Sequence, residues 1–150
     1  EAAENPMFSG SALPALMHFR EPRAEELVLD WLRSEAISRW QLVESLPGLR
    51  PERQPNALGV LIRYAASDKW EVRAAAAKSL GHYADDRVPE ILVGLLEDPV
   101  RHVRSAAVEG LGRSGSIRYV ADIERVLDDR HGEVRRAASD ALRHLGGQTC

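Results

Sequence analysis

Several residue types are scarce in this sequence, and each shortage excludes a class of protein. Cys150 is the only cysteine among 150 residues, so the chain can form neither an internal disulfide nor a cysteine-based metal site. Charged residues make up 29% of the chain and interrupt its apolar segments too often for a membrane-spanning helix. With 44% hydrophobic residues the sequence is also too apolar for an intrinsically disordered protein. We therefore expect one soluble globular domain.

Neither sign of charge dominates the sequence. The 20 lysines and arginines are set against 23 acidic residues, which gives a net charge of -3 and no overall positive field to attract nucleic acid or anionic lipid. Lys69 and Lys78 are the only lysines, so arginine supplies almost all of the positive charge. Arginine forms forked pairs with carboxylates better than lysine does, although a GC-rich genome would produce the same bias.

The sequence contains an internal repeat with a period of 31 residues, marked by valine-arginine pairs at Val72-Arg73, Val103-Arg104 and Val134-Arg135. Three leucines, Leu80, Leu111 and Leu142, recur at the same spacing. A second apolar set with this period precedes each of these copies, so each unit contains two helices. We predict antiparallel helix pairs at 54–84, 85–115 and 116–146.

The second helix of each unit is predicted from its apolar stripe and from its ends. In the first unit the stripe runs Val72, Ala75, Ala76, Ser79 and Leu80, which is a helical spacing and not a strand alternation. The predicted starts, where a side chain can accept a first-turn amide, are Ser67 or Asp68, Asp98 and Asp129. The predicted stops are Gly81, Gly112 and Gly146.

The first 53 residues follow the repeat less strictly. Residues 22–53 read as a divergent helix pair that caps the stack, within a domain that spans 22–150. Residues 1–21 read as an irregular arm, either docked on the stack or left over from a linker. Because the chain begins at Glu1, we expect a processed or excised piece. We expect a cytoplasmic location, or a soluble part of a longer or membrane-anchored protein.

The segment 98–107, which closes with Leu111-Gly112, resembles the HEAT repeat, in particular the short phycobilisome-lyase-like (PBS lyase) variety. This resemblance implies an all-α solenoid, a right-handed superhelix of antiparallel helix pairs whose second helices line the concave side. It also implies a ladder of ion pairs between adjacent units. Its arginines would be Arg73, Arg104 and Arg135, and its turn acids Asp68, Asp98 and Asp129. A functional alternative would make the same arginines an anion-binding rail.

A partner would be recognised by the outer positions of the second helices, where the three units differ. These positions are Trp70, Ala74, Lys78, Arg101, Ser105, Glu109, Arg136 and Asp140. Their charges are mixed, and Trp70 is the only aromatic residue among them. Trp70 flanked by Arg101 has the composition of an interface anchor, although the tryptophan could instead pack over the preceding helix pair.

Nothing in the sequence indicates catalysis. It has no nucleophile turn, no phosphate-binding glycine loop and no cysteine beside a base. His82 and His144 lie at predicted helix ends, where a positive group complements the helix dipole. The column Glu71, His102 and Glu133 is spread over stacked helices about 10 Å apart, which are hard to close on a metal. We expect no metal, no cofactor and no catalytic residue.

Three functions remain open. The leading one is a protein-interaction scaffold or adaptor that binds a protein or peptide on its concave face. The resemblance also permits a phycobilin lyase-type chromophore-binding or chaperone protein, with small residues around Ala74 and Ala77 as the floor of an apolar cleft. The weakest is a HEAT-like nucleic-acid-binding protein, because the balance of charge is acidic.

Overall fold

The computed structural model describes Arg23, Glu26, Leu29, Asp30 and residues 39–147. This part of the chain contains helices and no strand, and none of its helices has the length and apolarity needed to cross a membrane. The helices are α1 (Arg39–Ser45), α2 (Leu58–Ala65), α3 (Trp70–Leu80), α4 (Arg87–Leu95), α5 (Arg101–Ser114), α6 (Val120–Arg125) and α7 (Gly132–Gly147). Short 3-10 turns follow α1 and α6 and precede α2 and α6. The predicted arm, 1–21, lies outside the described residues.

The helices form a solenoid of antiparallel pairs. Helix α2 packs on α3, α4 on α5 and α6 on α7, and the three second helices, α3, α5 and α7, lie side by side. Helix α1 and the turn after it cover the free side of α3. The prediction of an all-α solenoid of antiparallel helix pairs is therefore confirmed.

Equivalent positions of the repeat have equivalent environments in the core. Val72 is 2% exposed, and Val103 and Val134 are fully buried. On the next inward-facing turn the three equivalent residues are all alanines, Ala76, Ala107 and Ala138. They are fully buried, and their small side chains let the helices approach closely. The third unit departs from the repeat at Leu142, which is only partly buried because no further described helix covers it.

The predicted starts of the second helices lie two residues too early, or one if the first is taken as Asp68, because the residues that cap α3 and α5 are Lys69 and Val100. Helices α3, α5 and α7 begin three residues after Ser67, Asp98 and Asp129. Each of these side chains accepts the amide two residues ahead, at 3.2, 2.9 and 2.8 Å respectively. They close a turn before the helix, a common use of serine and aspartate, and leave the first helical amides to other groups.

Two of the three predicted helix stops are also wrong. Helix α3 ends before Gly81 as expected, but α5 continues through Gly112 to Ser114 and ends at Gly115, whose φ of 70° is left-handed. Helix α7 extends past Gly146 by one residue. Gly115 therefore ends α5, and its left-handed backbone conformation favours glycine at this position.

Gly112 is needed for close packing between helices and not for a cap. A Cβ atom added to Gly112 would lie 2.9 Å from the Cβ of Ala141 in α7. The same approach recurs one unit earlier, where a Cβ on Gly81 would lie 2.6 Å from the Cα of Gly110 in α5. These contacts hold the second helices at a fixed separation and so determine the spacing of the surface that they carry.

Candidate interaction surface

Two forked ion pairs connect consecutive helix pairs. The Nε and Nη2 atoms of Arg73 donate to the Asp98 carboxylate at 2.8 and 3.0 Å. One unit later, the same two atoms of Arg104 donate to Asp129 at 2.7 and 3.0 Å. Each pair joins a second helix to the turn acid of the next unit, so the pairs form a ladder along the solenoid. Paired geometry of this kind selects one stacking register.

The third guanidinium nitrogen holds each ladder arginine in place. The Nη1 atom donates to a backbone carbonyl of the turn in the arginine's own unit: Ser67 for Arg73 at 2.9 Å, Asp98 for Arg104 at 2.7 Å, and Asp129 for Arg135 at 2.7 Å. The hydrogen bond from Arg104 lowers the pKa of Asp129 below its usual range, because it stabilises the ionised carboxylate.

Asp68 does not take part in the ladder. Its carboxylate is 83% exposed and lies 3.4 Å from the Nζ atom of Lys69. The residue that precedes Asp98 by one 31-residue period is Ser67, which occupies the turn position but carries no charge. The prediction of Asp68 as a ladder acid is therefore wrong, and the acids of the ladder begin with the second unit.

The exposed sides of α3, α5 and α7 form one continuous surface, called here the second-helix face. The structure places all eight predicted partner-binding positions on these helices. Lys78, Arg101, Arg136 and Asp140 are exposed, whereas Ala74 and Glu109 are half-buried. Ser105 is only 6% exposed and lies in the floor between the helices, so it offers a partner little surface.

Trp70 is 38% exposed and stacks on His102 of the next unit. The ring centroids are 5.3 Å apart and the ring planes differ by 27°. The expected neighbour, Arg101, turns instead toward Glu133, with its Nε atom 3.5 Å from Oε2. The Nδ1 atom of His102 lies 3.0 Å from Oε1 of the same glutamate. His102 therefore belongs to the surface that sequence reasoning assigned to Trp70 and Arg101.

Two open grooves run along the second-helix face, one on each side of α5. The first, between α3 and α5, has a volume of about 380 Å³ and is lined by Val43, Pro47, Trp70, Glu71, Ala74, Ala75, Lys78, His102, Ser105, Ala106, Glu109 and Glu133. The second, between α5 and α7, has a volume of about 640 Å³ and is lined by Ser105, Glu109, Gly112, Arg113, Glu133, Arg136, Ala137, Asp140, Ala141 and His144. Both are large enough for side chains of a partner.

Acidic and basic side chains alternate along these grooves. Glu109 lies between two cations, with Oε2 4.0 Å from the Nζ atom of Lys78 and 3.8 Å from the Nη2 atom of Arg113. Ala77, the expected floor of an apolar cleft, is fully buried in the core and lines neither groove. The surface is thus neither uniformly basic nor a deep apolar cleft.

His82 differs from the expectation of a positive helix-end group. Burial lowers its pKa, and the charges of Arg50 and Arg113 lower it further, so the neutral imidazole is favoured. At this end of α3 it is Arg113 that supplies the positive group, since its Nη1 atom donates to the carbonyl of Lys78 at 3.3 Å. Among residues 39–147 and the four described before them, no three His, Cys, Asp or Glu side chains are placed to hold a metal ion.

Among solved structures, the chain is similar to the complex of CpcE and CpcF of phycocyanin lyase from Nostoc sp. PCC7120, with 22% identity and a TM-score of 0.64, over 89% of this chain and 99% of that chain. It is also similar to an engineered protein, with 19% identity and a TM-score of 0.63, over 97% of this chain and 76% of that chain. At these identities the likeness shows the fold alone. No curated protein matches the sequence.

The family is shown by the sequence itself. A family model of HEAT repeats matches the chain twice, over residues 26–112 and over residues 58–143. These matches include all three valine-arginine copies and the turn acids that join them. Together with the solenoid and its phycocyanin lyase neighbour, they confirm the resemblance noted in the sequence: the chain belongs to the HEAT repeat family.

Proposed function

We propose that this protein is an interaction scaffold or adaptor that binds a partner protein or peptide on its second-helix face. The main support for this proposal is the exposure of Trp70. Its side chain remains 38% exposed at the edge of an open groove, although its ring is already stacked on His102. The resemblance to HEAT repeats implies that this face is the concave side of the solenoid.

The stacked ring is well suited to anchor a partner. A large aromatic side chain contributes most to binding when little conformational entropy is lost as it is covered. The contact with His102, which is itself held by Glu133 at 3.0 Å, restricts the tryptophan before a partner arrives. The partner would then cover a ring that is already in position.

The charges of the face favour a protein over a nucleic acid. A nucleic-acid surface neutralises phosphates with a continuous run of lysine and arginine. Here the first groove carries Glu71, Glu109 and Glu133 beside Lys78, and the second carries both arginines and acids. Alternating charges of this kind fit a polar protein surface, where they provide specificity and orientation.

Similarity to the phycocyanin lyase complex supports a phycobilin lyase-type protein as a second candidate. Against it, both grooves are open and are lined by charged side chains, whereas a chromophore requires a mostly apolar enclosure. Titration with a phycobilin, followed by its visible absorbance, separates the two. A saturable spectral change would favour the chromophore-binding function over the scaffold. The scaffold proposal itself includes no cofactor or catalytic step, and it assumes a cytoplasmic location.

The proposal is tested by capturing partners on the immobilised protein, identifying them by mass spectrometry, and titrating the purified partner against variants. The test variant combines Trp70→Ala with Arg101→Glu. Its matched control combines Ile117→Ala with Arg125→Glu, which also removes an exposed apolar side chain and reverses an arginine, but at the first helix of the third unit.

We expect the test variant to lose about 2 kcal/mol of binding free energy, roughly a 30-fold weaker Kd, as for an anchor residue of an interface. The control should change Kd by less than about twofold. Circular dichroism of each variant verifies that the helices are intact. An unchanged Kd in the test variant, or an equal loss in the control, would show that the partner binds elsewhere.

A further inference from the structure

The last arginine of the ion-pair ladder, Arg135, has no acidic partner among the described residues. Arg135 donates from Nη1 to the carbonyl of Asp129 at 2.7 Å, as Arg104 does to Asp98 in the preceding unit. The Nε and Nη2 edge of Arg104 is occupied by a carboxylate, but no carboxylate among the described residues lies within ion-pair distance of Arg135. The third arginine is thus held in the ladder geometry without an acid.

The surface around Arg135 is exposed, whereas the equivalent surface of the preceding unit is packed against the next helix. Its stripe on α7 consists of Arg135, Ser139 and Arg143, called here the α7 end face. One period earlier the equivalent residues, Arg104, Val108 and Gly112, are buried against the next helix. Ser139 and Arg143 are instead exposed, so the arginine is retained while its apolar and small neighbours are replaced.

A further helix pair stacked in the interior geometry does not fit this face. Even a single Cβ atom at Gly112 would approach Ala141 to 2.9 Å, and α7 carries the whole side chain of Arg143 at that position. The occupant must therefore reach Arg135 without close helix packing.

We propose that Arg135 binds an aspartate or glutamate side chain of an acidic segment in a partner protein, with the forked geometry of the two internal pairs. The charge of the end of the solenoid supports this occupant. Arg130, Arg135 and Arg143 are exposed there, outside the second-helix face, and Arg143 lies 3.0 Å from Asp140. A slender acidic segment complements such a surface and avoids the clash at Arg143.

This site is separate from the second-helix face, and its test does not depend on the partner identified there. The probe is a short synthetic peptide of alternating glutamate and aspartate, acetylated and amidated at its ends. The control peptide carries glutamine and asparagine at the same positions. Binding is followed by the Nε–H resonances of the arginines in two-dimensional NMR spectra, and affinity by fluorescence anisotropy of the labelled peptide.

We expect the acidic peptide to shift the Arg135 Nε–H resonance in a saturable way, and the amide peptide to leave it unchanged. Arg135→Gln should weaken affinity by about tenfold, and Arg135→Lys by about fivefold, because lysine keeps the charge but cannot form the fork. The matched control, Arg125→Gln, removes another exposed arginine, from α6, and should change affinity by less than about twofold.

Four results would overturn the proposal. An unshifted Arg135 resonance would show that the peptide does not bind there. Equal losses in Arg135→Gln and Arg125→Gln, or full affinity in Arg135→Lys, would reduce the effect to general charge attraction. Inorganic phosphate that shifts the Arg135 resonance at lower concentration than the peptide would reassign the site to a phosphate-bearing ligand.

Discussion

Replacement of Arg104 by methionine should destabilise the solenoid more than any exposed arginine replacement. Arg104 and Asp129 are 8% and 10% exposed at their side chains and make two hydrogen bonds with each other. Methionine preserves much of the packing volume but leaves the Asp129 carboxylate buried without its counterion. Removing one partner of a buried pair in this way costs about 3–5 kcal/mol.

The matched control is Arg125→Met. Arg125 is 62% exposed and lies 3.4 Å from Asp122, so its ion pair is open to water. Exposed pairs contribute about 0–1 kcal/mol, and the control should therefore unfold almost as the wild type does. A double variant, Arg104→Met with Asp129→Asn, removes both charges, keeps an oxygen that can accept the His131 amide, and should recover a large part of the loss.

Urea unfolding followed by the helical circular dichroism signal measures these free energies. Hydrogen exchange would then localise the loss, which should be concentrated at the contact between α5 and α7 because each unit of a solenoid contacts only its neighbours. An Arg104→Met variant no less stable than Arg125→Met would contradict a buried, stabilising pair. So would a double variant that is as unstable as the sum of its single changes.

Two further predictions concern the same seam. Ala107→Leu should cost about 1–3 kcal/mol, because Ala107 is fully buried between helices and a larger side chain must overpack the core; a wild-type thermal midpoint would contradict this. Stability should also decrease in acid. Since the folded-state pKa of Asp129 is lowered, its contribution is complete above the ordinary aspartate value of about 3.9 and is lost as the pH falls through the folded-state pKa. Unfolding free energies measured across this range should flatten in Asp129→Asn, and an unaltered acid dependence would show that other groups cause it.

The fold could be predicted from the sequence because one constraint is repeated three times. A valine in the same turn of each unit must find the same environment if the units stack, and Val72, Val103 and Val134 do so. The ends of the helices were less predictable. Glycine commonly ends a helix, and Gly112 has that residue type. Here its lack of a side chain allows close contact with Ala141 instead, and the sequence alone does not distinguish these two uses of glycine.

The site was predictable at the level of helix faces but not of contacts. A period of 31 residues aligns Trp70 with Arg101, yet the tryptophan contacts His102, which is 32 residues away. Arg101 likewise contacts Glu133 at an offset of 32, whereas His102–Glu133 and Lys78–Glu109 keep the offset of 31. The sequence period describes equivalence between units, whereas contacts depend on how far each helix is shifted and rotated against the next. That shift is set by packing at the glycines and alanines of the seam, which sequence periodicity does not report.

The ladder shows how one residue type serves structure or binding according to its position. Arg73 and Arg104 receive their carboxylates from the same chain, so the acid is always present and the pair fixes the register of stacking. Arg135 has the same backbone hydrogen bond but no carboxylate of the described residues within ion-pair distance, and in our proposal its acid comes from a partner. The conformational entropy cost of orienting Arg135 is met during folding. An external acid should therefore bind it more tightly than it would bind a mobile surface arginine. The functional and structural interpretations of the arginine column are therefore compatible, because they apply to different members of it.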